Sequence, residues 1–436
     1  MLINASVSII LLSLLAFLLL RCLADWGLPL RSLPAWGAGR DRQDGAILEN
    51  RESHEPLKGQ NPRVFLFALA LRLAVLLAFA AAVFLASSTG VTWEAFLSKF
   101  QLWDARHYLN LIEQGYAGYE EQGQHIFLVF FPAYVWVCRL FSLVMPPLAA
   151  GLLVSVLSFS WGCCYVYRLG RELYGEATAW YGVLLLCAFP YSFFYGAVMT
   201  EGLFLLSTAA ACYYALKGKW LAYGLWGVLA AATRMTGVLV LVFAGVELLR
   251  SLKPLEPPAG QSLKRAWKPL LLRLPLILLP LLGTASYLLL NWHVDGDPFA
   301  FTGHQEHWHQ GSMWVSKVVE YLIHYAKNYA SQSVGWAIWL PSLVLFAGFL
   351  SVLWLSALRR ENRPSLLLFS LGYFTANYSL SWLLSAGRYL SGGFPLFLLL
   401  AALAQRHPRL RDLLLLTECL FLGIYLYAYA NNAQIM

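Results

Sequence analysis

The sequence predicts an all-α polytopic membrane protein, and three observations support that reading. First, 59% of the 436 residues are hydrophobic and only 12% are charged, against about 25% charged in a soluble domain. Second, apolar runs recur from end to end, at about the 20 residues a helix needs to cross a bilayer. Third, Lys and Arg gather in alternate loops, as the positive-inside bias requires. The net charge of +8 is therefore assigned to membrane orientation rather than to nucleic acid. The seven cysteines fall in or beside apolar segments without CxxC spacing, which argues against a disulfide framework or a zinc site.

Residues 2–22 form the first expected span. They have the length of a signal peptide but lack a basic n-region and a small-residue cleavage site, so a retained span is expected. Residues 24–63 are polar and basic and are read as a cytoplasmic loop. A span over 64–86 leads to the loop 87–126, which has only Lys99 and Arg106 as basic residues beside Glu94, Asp104, Glu113, Glu120 and Glu121. That loop is placed outside. The apolar run 127–146 contains Pro132 and precedes a clear span at 150–167. Alternation needs one crossing here, so 127–146 is read as re-entrant or interfacial on the outer side.

Further segments follow at 177–196, 200–216, 220–234, 237–250, 270–290, 337–357, 364–384, 388–404 and 411–430. This reading makes twelve spans plus the ambiguous element, about 12–13 membrane segments in one integral domain. The loop 291–336, with only Lys317 and Lys327 as basic residues, faces the same side as 87–126. No internal repeat is visible, which counts against an inverted-repeat transporter.

The stretch LWDARHYLNLIEQGYAGYEEQGQHIFLVFFP, residues 102–132, is the most polar-functional piece of this apolar chain. At about 100° per residue, Leu102, Ala105, Leu109, Ile112 and Tyr116 share one helix face. Asp104 and Tyr108 share a flank, and His107 lies one turn from Asp104. Between two apolar segments, such a helix is expected to lie along the outer membrane surface with its apolar face down.

Ionisable groups in or at the mouths of spans are costly and default to functional candidates. Asp104 is a general base for an acceptor hydroxyl or else an N-cap. Glu201 contacts sugar hydroxyls, or it sits in a first turn capped by Thr200, where the helix dipole favours a carboxylate. Arg234 and Arg388 either snorkel to headgroups or hold a phosphate through the guanidinium fork. In 291–310, His293, His304, His307 and His309 accompany Asp295, Asp297 and Glu306. His304 and His307 share a helix face that would suit a metal, but the spacing matches no metal motif, and a solvated loop is expected.

The matching pieces are WDARHYLNLIEQGY followed by FFPAYVW, then FPYSFFYGAVMTEGLFLL, ATRMTGVLVL, NWHVDGDPFAF and GRYLSGGFPLFLLLA. In that order, over about residues 102–404, they resemble the PIG-V family of mannosyltransferases, which add the second mannose in GPI-anchor assembly, and its bacterial relatives. The chain departs from the family at both ends, in the 24–63 loop, and between Tyr116 and Phe130. The resemblance implies a GT-C glycosyltransferase fold and a polyprenyl (dolichyl) phosphate-mannose donor in place of a nucleotide sugar. It implies Asp104 as the base, with Trp103, His107, Tyr108, Glu201, Arg234, Arg388 and Tyr389 as the substrate- and donor-binding set. No cofactor or metal is expected.

The expected partners are the lipid donor, a lipid or glycan acceptor, the membrane and, if needed, a partner subunit, with no nucleic acid. The expected location is a bacterial plasma membrane with the site facing outside, the alternative being the endoplasmic reticulum membrane. Inversion fits a single base with a stabilised leaving group, since retention needs two closely placed carboxylates. The rival readings are a flippase or transporter of a polyprenyl-linked glycan, and a GT-C enzyme for another sugar.

Overall fold

In lipid, a helix satisfies its backbone polar groups within one segment. The computed structural model, which describes residues 2–29, 60–86 and 90–435, is accordingly helical, with isolated bridges but no strand among the described residues. Most of the expected 24–63 loop lies outside the described residues. The first helices are α1 (Leu2–Asp25), α2 (Gln60–Ala86), α3 (Trp93–Ser98), α4 (Asp104–Gln114), α5 (Pro132–Ser142) and α6 (Pro147–Tyr174). Next come α7 (Glu176–Ala188), α8 (Glu201–Leu216), α9 (Trp220–Thr233), α10 (Val240–Leu252), α11 (Ala259–Leu278), α12 (Leu281–Asp295) and α13 (Ala300–His304). The chain closes with α14 (Val315–Asn328), α15 (Leu340–Ala357), α16 (Pro364–Asn377), α17 (Ala386–Ser391), α18 (Phe394–Ala404) and α19 (Pro408–Ala430).

Seven helical stretches among the described residues are long and apolar enough to cross a membrane: Ile3–Asp25, Asn61–Leu85, Pro147–Tyr174, Met235–Leu252, Ala259–Asp295, Gly335–Ala357 and Pro408–Ala430. The chain is thus an all-α polytopic membrane protein. Helix α6 is its central post. It is 72% buried over its most apolar window, where the other six are at most 44%. Of the shorter apolar helices, α7, α8 and α18 pack against this post, and α9 packs against α8. Small residues let such backbones approach. At Gly202 an added Cβ would collide with the Ser155 backbone carbonyl on α6.

Several expected spans are broken near one end. Helix α7 stops at Ala188, before Pro190, and a 3-10 turn over Ser192–Gly196 follows. Helix α9 stops at Thr233; Arg234 is extended, and a second 3-10 turn runs over Met235–Leu239. The expected 364–384 segment is helical only to Asn377, and the next helix, α17, is six residues long. Irregular backbone at membrane depth is tolerated where protein covers it. In 127–146, a 3-10 turn at Ile126–Val129 precedes the 11-residue helix α5. At about 1.5 Å per residue, α5 is too short for a core of about 30 Å.

Helix α4 is amphipathic as expected, but protein covers the face expected to lie on lipid. Ala105, Leu109 and Ile112 are buried, and α4 packs on α5 and α6. Periodicity specifies an apolar face without saying whether lipid or protein meets it.

At the other end of the bundle, Arg21 of α1 donates from Nη1 to Ala357 O and from Nη2 to Asn362 O, both at 2.6 Å. Those carbonyls lie at and beyond the C-terminal end of α15, where the helix leaves acceptors unpaired.

The close α6–α8 crossing yields a stability prediction. Gly202→Ala overpacks it and costs about 1–3 kcal/mol. Gly245→Ala, where an added Cβ meets nothing within 4 Å, costs nothing. Thermal midpoints of the detergent-solubilised variants check this; equal midpoints would contradict the crossing.

Candidate active site

The broken ends converge on one cluster of charged residues. Asp104 is the first residue of α4, and Trp103 before it has φ 56° and ψ −134°. That left-handed conformation suits glycine, and holding it in another residue costs about 1–3 kcal/mol. Asp104 is not an N-cap: its Oδ2 accepts a 2.6 Å hydrogen bond from Arg388 Nη2 on α17. Thr200 makes no side-chain cap either. Its hydroxyl oxygen instead accepts from Arg234 Nε at 2.8 Å.

Glu201, the first residue of α8, links the two arginines. Its Oε1 accepts a hydrogen bond from Arg234 Nη2 and stands 3.2 Å from Arg388 Nε, an ion-pair contact without hydrogen-bond alignment. Its Oε2 is buried without a partner, a costly arrangement for a carboxylate. Two guanidinium groups thus balance two carboxylates. The side chains of Glu201 and Arg388 are 1% and 6% exposed, while Asp104 is 27% exposed. The cluster therefore opens at Asp104.

Aromatic rings line it. Tyr389 lies beneath both guanidinium groups, its centroid 5.1 Å from Arg388 Cζ and 5.8 Å from Arg234 Cζ, within cation–π range. Phe194 and Phe204 flank Arg388 and Arg234 at 5.6 and 5.5 Å. Tyr108 is buried edge-on to Phe130 and Tyr134. The Trp103 indole N–H is buried without a partner.

A second layer holds α17 in place. The Tyr195 hydroxyl donates to Ser391 O and the Tyr373 hydroxyl to Tyr389 O, each at 2.7 Å. An added Cβ at Gly387 would overlap the Tyr191 ring, so this close contact requires glycine. Arg72 of α2 is fully buried; it donates from Nη1 to Ser192 O at 2.5 Å and lies over Phe159 with its Cζ 4.5 Å from the centroid. Sequence reasoning passed over Arg72, although a lone arginine inside an apolar run is itself a signal. Tyr195 and Tyr373 carry no sequence signal that sets them apart from core aromatics.

His107 lies outside the charge cluster. Its Nδ1 is 3.0 Å from the Tyr119 hydroxyl, and its ring stacks on Phe127 at 4.7 Å. Burial holds this imidazole below the ordinary histidine range, against the pull of Asp104. Trp308 meets Phe127 and Phe130 of the 127–146 segment edge-on, and His125 Nε2 stands 4.0 Å from Asp295 Oδ1, so the two expected external loops touch. His304 pairs with Asp295 at 2.7 Å; no three His, Cys, Asp or Glu side chains among the described residues converge as a metal site. A narrow apolar cleft runs past Leu76, Phe79, Phe100, Phe193 and Tyr429, with Lys99 in its wall. Together these features can bind a phosphate through arginine and accept a proton on Asp104.

No protein-family model matches the chain, and no curated protein does. Among solved structures, ArnT from Cupriavidus metallidurans bound to undecaprenyl phosphate is similar, with TM-score 0.48 and 17% identity, over 80% of this chain and 62% of that one. Its apo form gives a TM-score of 0.49 and 18% identity over the same shares. The Archaeoglobus fulgidus oligosaccharyltransferase AglB, in complex with an inhibitory peptide and a dolichol-phosphate, gives a TM-score of 0.42 and 13% identity over 86% of this chain and 56% of that one. This chain spans less than two thirds of the length of each. At these scores the likeness is one of general helix arrangement, and the chemistry follows from the side chains.

The Asp104–Arg388 contact predicts coupling. Asp104→Asn and Arg388→Ala, alone and together, should show a non-additive stability change of about 0.5–3 kcal/mol. Denaturation midpoints of the four proteins check this; additive effects would mean that the two groups do not interact.

Proposed function

We propose that the chain is a GT-C-type membrane glycosyltransferase. It transfers mannose from polyprenyl-phosphate-mannose to a membrane-associated lipid or glycan acceptor, with inversion at the sugar. One observation carries the reading. The accessible carboxylate of Asp104 is held 2.6 Å from Arg388, a buried guanidinium of the kind that matches a phosphate. Base and leaving-group site thus belong to one cluster; in a single displacement they flank opposite faces of the anomeric carbon, so the Asp104–Arg388 contact opens as the sugar enters between them. The motif order that resembles the PIG-V family supports mannose as the sugar.

In the proposed reaction, the donor phosphate takes up hydrogen bonds from Arg388 and Arg234, and its isoprenoid tail lies along the apolar cleft beside Tyr429. Movement of Arg388 toward the phosphate frees Asp104. The acceptor hydroxyl oxygen attacks the anomeric carbon while its proton passes to the Asp104 carboxylate. The bond between that carbon and the phosphate oxygen breaks, and the electron pair leaves with the phosphate. The arginines stabilise the second negative charge as it develops. The free Oε2 of Glu201 and the indole N–H of Trp103 are suited to sugar hydroxyls. Tyr108, Tyr389 and His107 form the surrounding wall.

The loop 87–126 is the catalytic loop in this account, and 291–336 is the second external loop that closes over it. The proposed location is the outer face of a bacterial plasma membrane. Balanced charge and irregular backbone at one membrane face also suit a flippase, which moves a lipid-linked sugar without making a glycosidic bond.

Purified wild-type protein should transfer labelled mannose from a short-chain polyprenyl-phosphate-mannose into a membrane lipid extract. The new product should have an inverted anomeric linkage, and a nucleotide-mannose should give none. Movement of the labelled donor across proteoliposomes without a new glycosidic bond would favour the flippase and overturn the proposal.

A further inference from the structure

A separate cavity lies at the other end of α8 and α9. Its volume is about 380 Å³, and Leu216, Trp220, Arg250, Arg273 and Arg363 help to line it. Helix α8 has 16 residues, so the cavity is about 24 Å along the bundle from Glu201. Its size falls within the range of about 300–1,000 Å³ typical of ligand sites.

Its charge is unbalanced. Arg363 Nη1 bonds Glu247 Oε2 at 2.7 Å, and Arg250 stands 3.3 Å from Asp25 and 3.8 Å from Glu247. Those two carboxylates offset two of the three guanidinium groups. Arg273, the third, forms no ion pair among the described residues, yet it belongs to the cavity wall. Its neighbours Leu271, Leu272 and Leu274 are exposed, so α11 presents an apolar, lipid-facing surface around it. An arginine in that setting, half-buried, either snorkels to headgroups or is met by an anion. The same end of the bundle holds Lys217, Lys219 and Arg360, which the positive-inside bias assigns to the cytoplasm. Anionic lipids attract basic groups on that side.

We infer that this cavity binds a phosphate-bearing anion, with Arg273 as its principal free donor. Phosphate accepts the paired N–H groups of a guanidinium. The lipid-facing leucines beside Arg273 point to a phospholipid headgroup as the source; free phosphate shares the chemistry. The inference is independent of the transfer reaction at the opposite end.

The test uses the full-length, delipidated protein in detergent. Phosphatidylglycerol binding is read by native mass spectrometry and inorganic phosphate binding by calorimetry. Arg273→Gln should weaken binding about tenfold, the effect of one charge-assisted contact, and Arg273→Lys should recover part of it. Arg273→Leu, which matches its neighbours, replaces the glutamine variant if that one does not fold. Arg273-dependent binding of phosphatidylglycerol supports the lipid source. Arg273-dependent binding of phosphate alone supports the site with a soluble ligand. Binding of neither probe, or binding that is equal in wild type and the charge-removing variant, overturns the inference.

Discussion

The structure depends on one constraint: two guanidinium groups in an apolar interior need counter-charges at contact distance. Removing an ion from water costs several kcal/mol even after relaxation, and a buried pair recovers this only with good geometry. Glu201 meets the need by touching both arginines, and Asp104 takes the outer side of Arg388. A well-packed apolar core would achieve stability more cheaply. In the proposed reaction, the value of such a network lies in holding both guanidinium groups beside Glu201, so that only the Arg388–Asp104 contact reorganises when a phosphate gains charge there.

That constraint accounts for the broken helices. A continuous helix through residue 234 or 388 would point these side chains along the bundle at fixed intervals. Instead Arg234 is extended between α9 and a 3-10 turn, and Arg388 sits on the six-residue α17. Asp104 and Glu201 each begin a helix. Protein covers the Ser192–Gly196 turn and α17, as lipid exposure would leave their backbone polar groups unpaired, while the Met235–Leu239 turn is buried only at Gly237. The unusual backbone of Trp103 belongs to the same group, since it delivers the chain into α4 with the carboxylate facing Arg388.

Much of this was legible in the sequence. In a chain with so few charges, Asp104, Glu201, Arg234 and Arg388 stand out because each is expensive where it lies. Their convergence was not legible: Asp104 and Arg388 are 284 residues apart, and their contact depends on where helices stop. The caps expected at Asp104 and Thr200 were plausible on local grounds and gave way to tertiary partners, both arginines. For α4, Leu109 and Ile112 marked an apolar face correctly, but leucine and isoleucine pack equally well on lipid and on protein. Arg72 was visible as a lone charge in an apolar run, yet its role beneath Ser192 depends on a turn that periodicity does not reveal.

The most direct test of the account is single-turnover mannose transfer by Asp104→Asn beside wild type, with donor binding measured on the same preparations. The substitution keeps the side-chain shape and removes the base, so transfer should fall by about 10²–10⁴-fold while the donor still binds. Undiminished transfer by a normally folded Asp104→Asn protein would contradict the assignment of Asp104 and, with it, the reading of the charge cluster as the site of reaction.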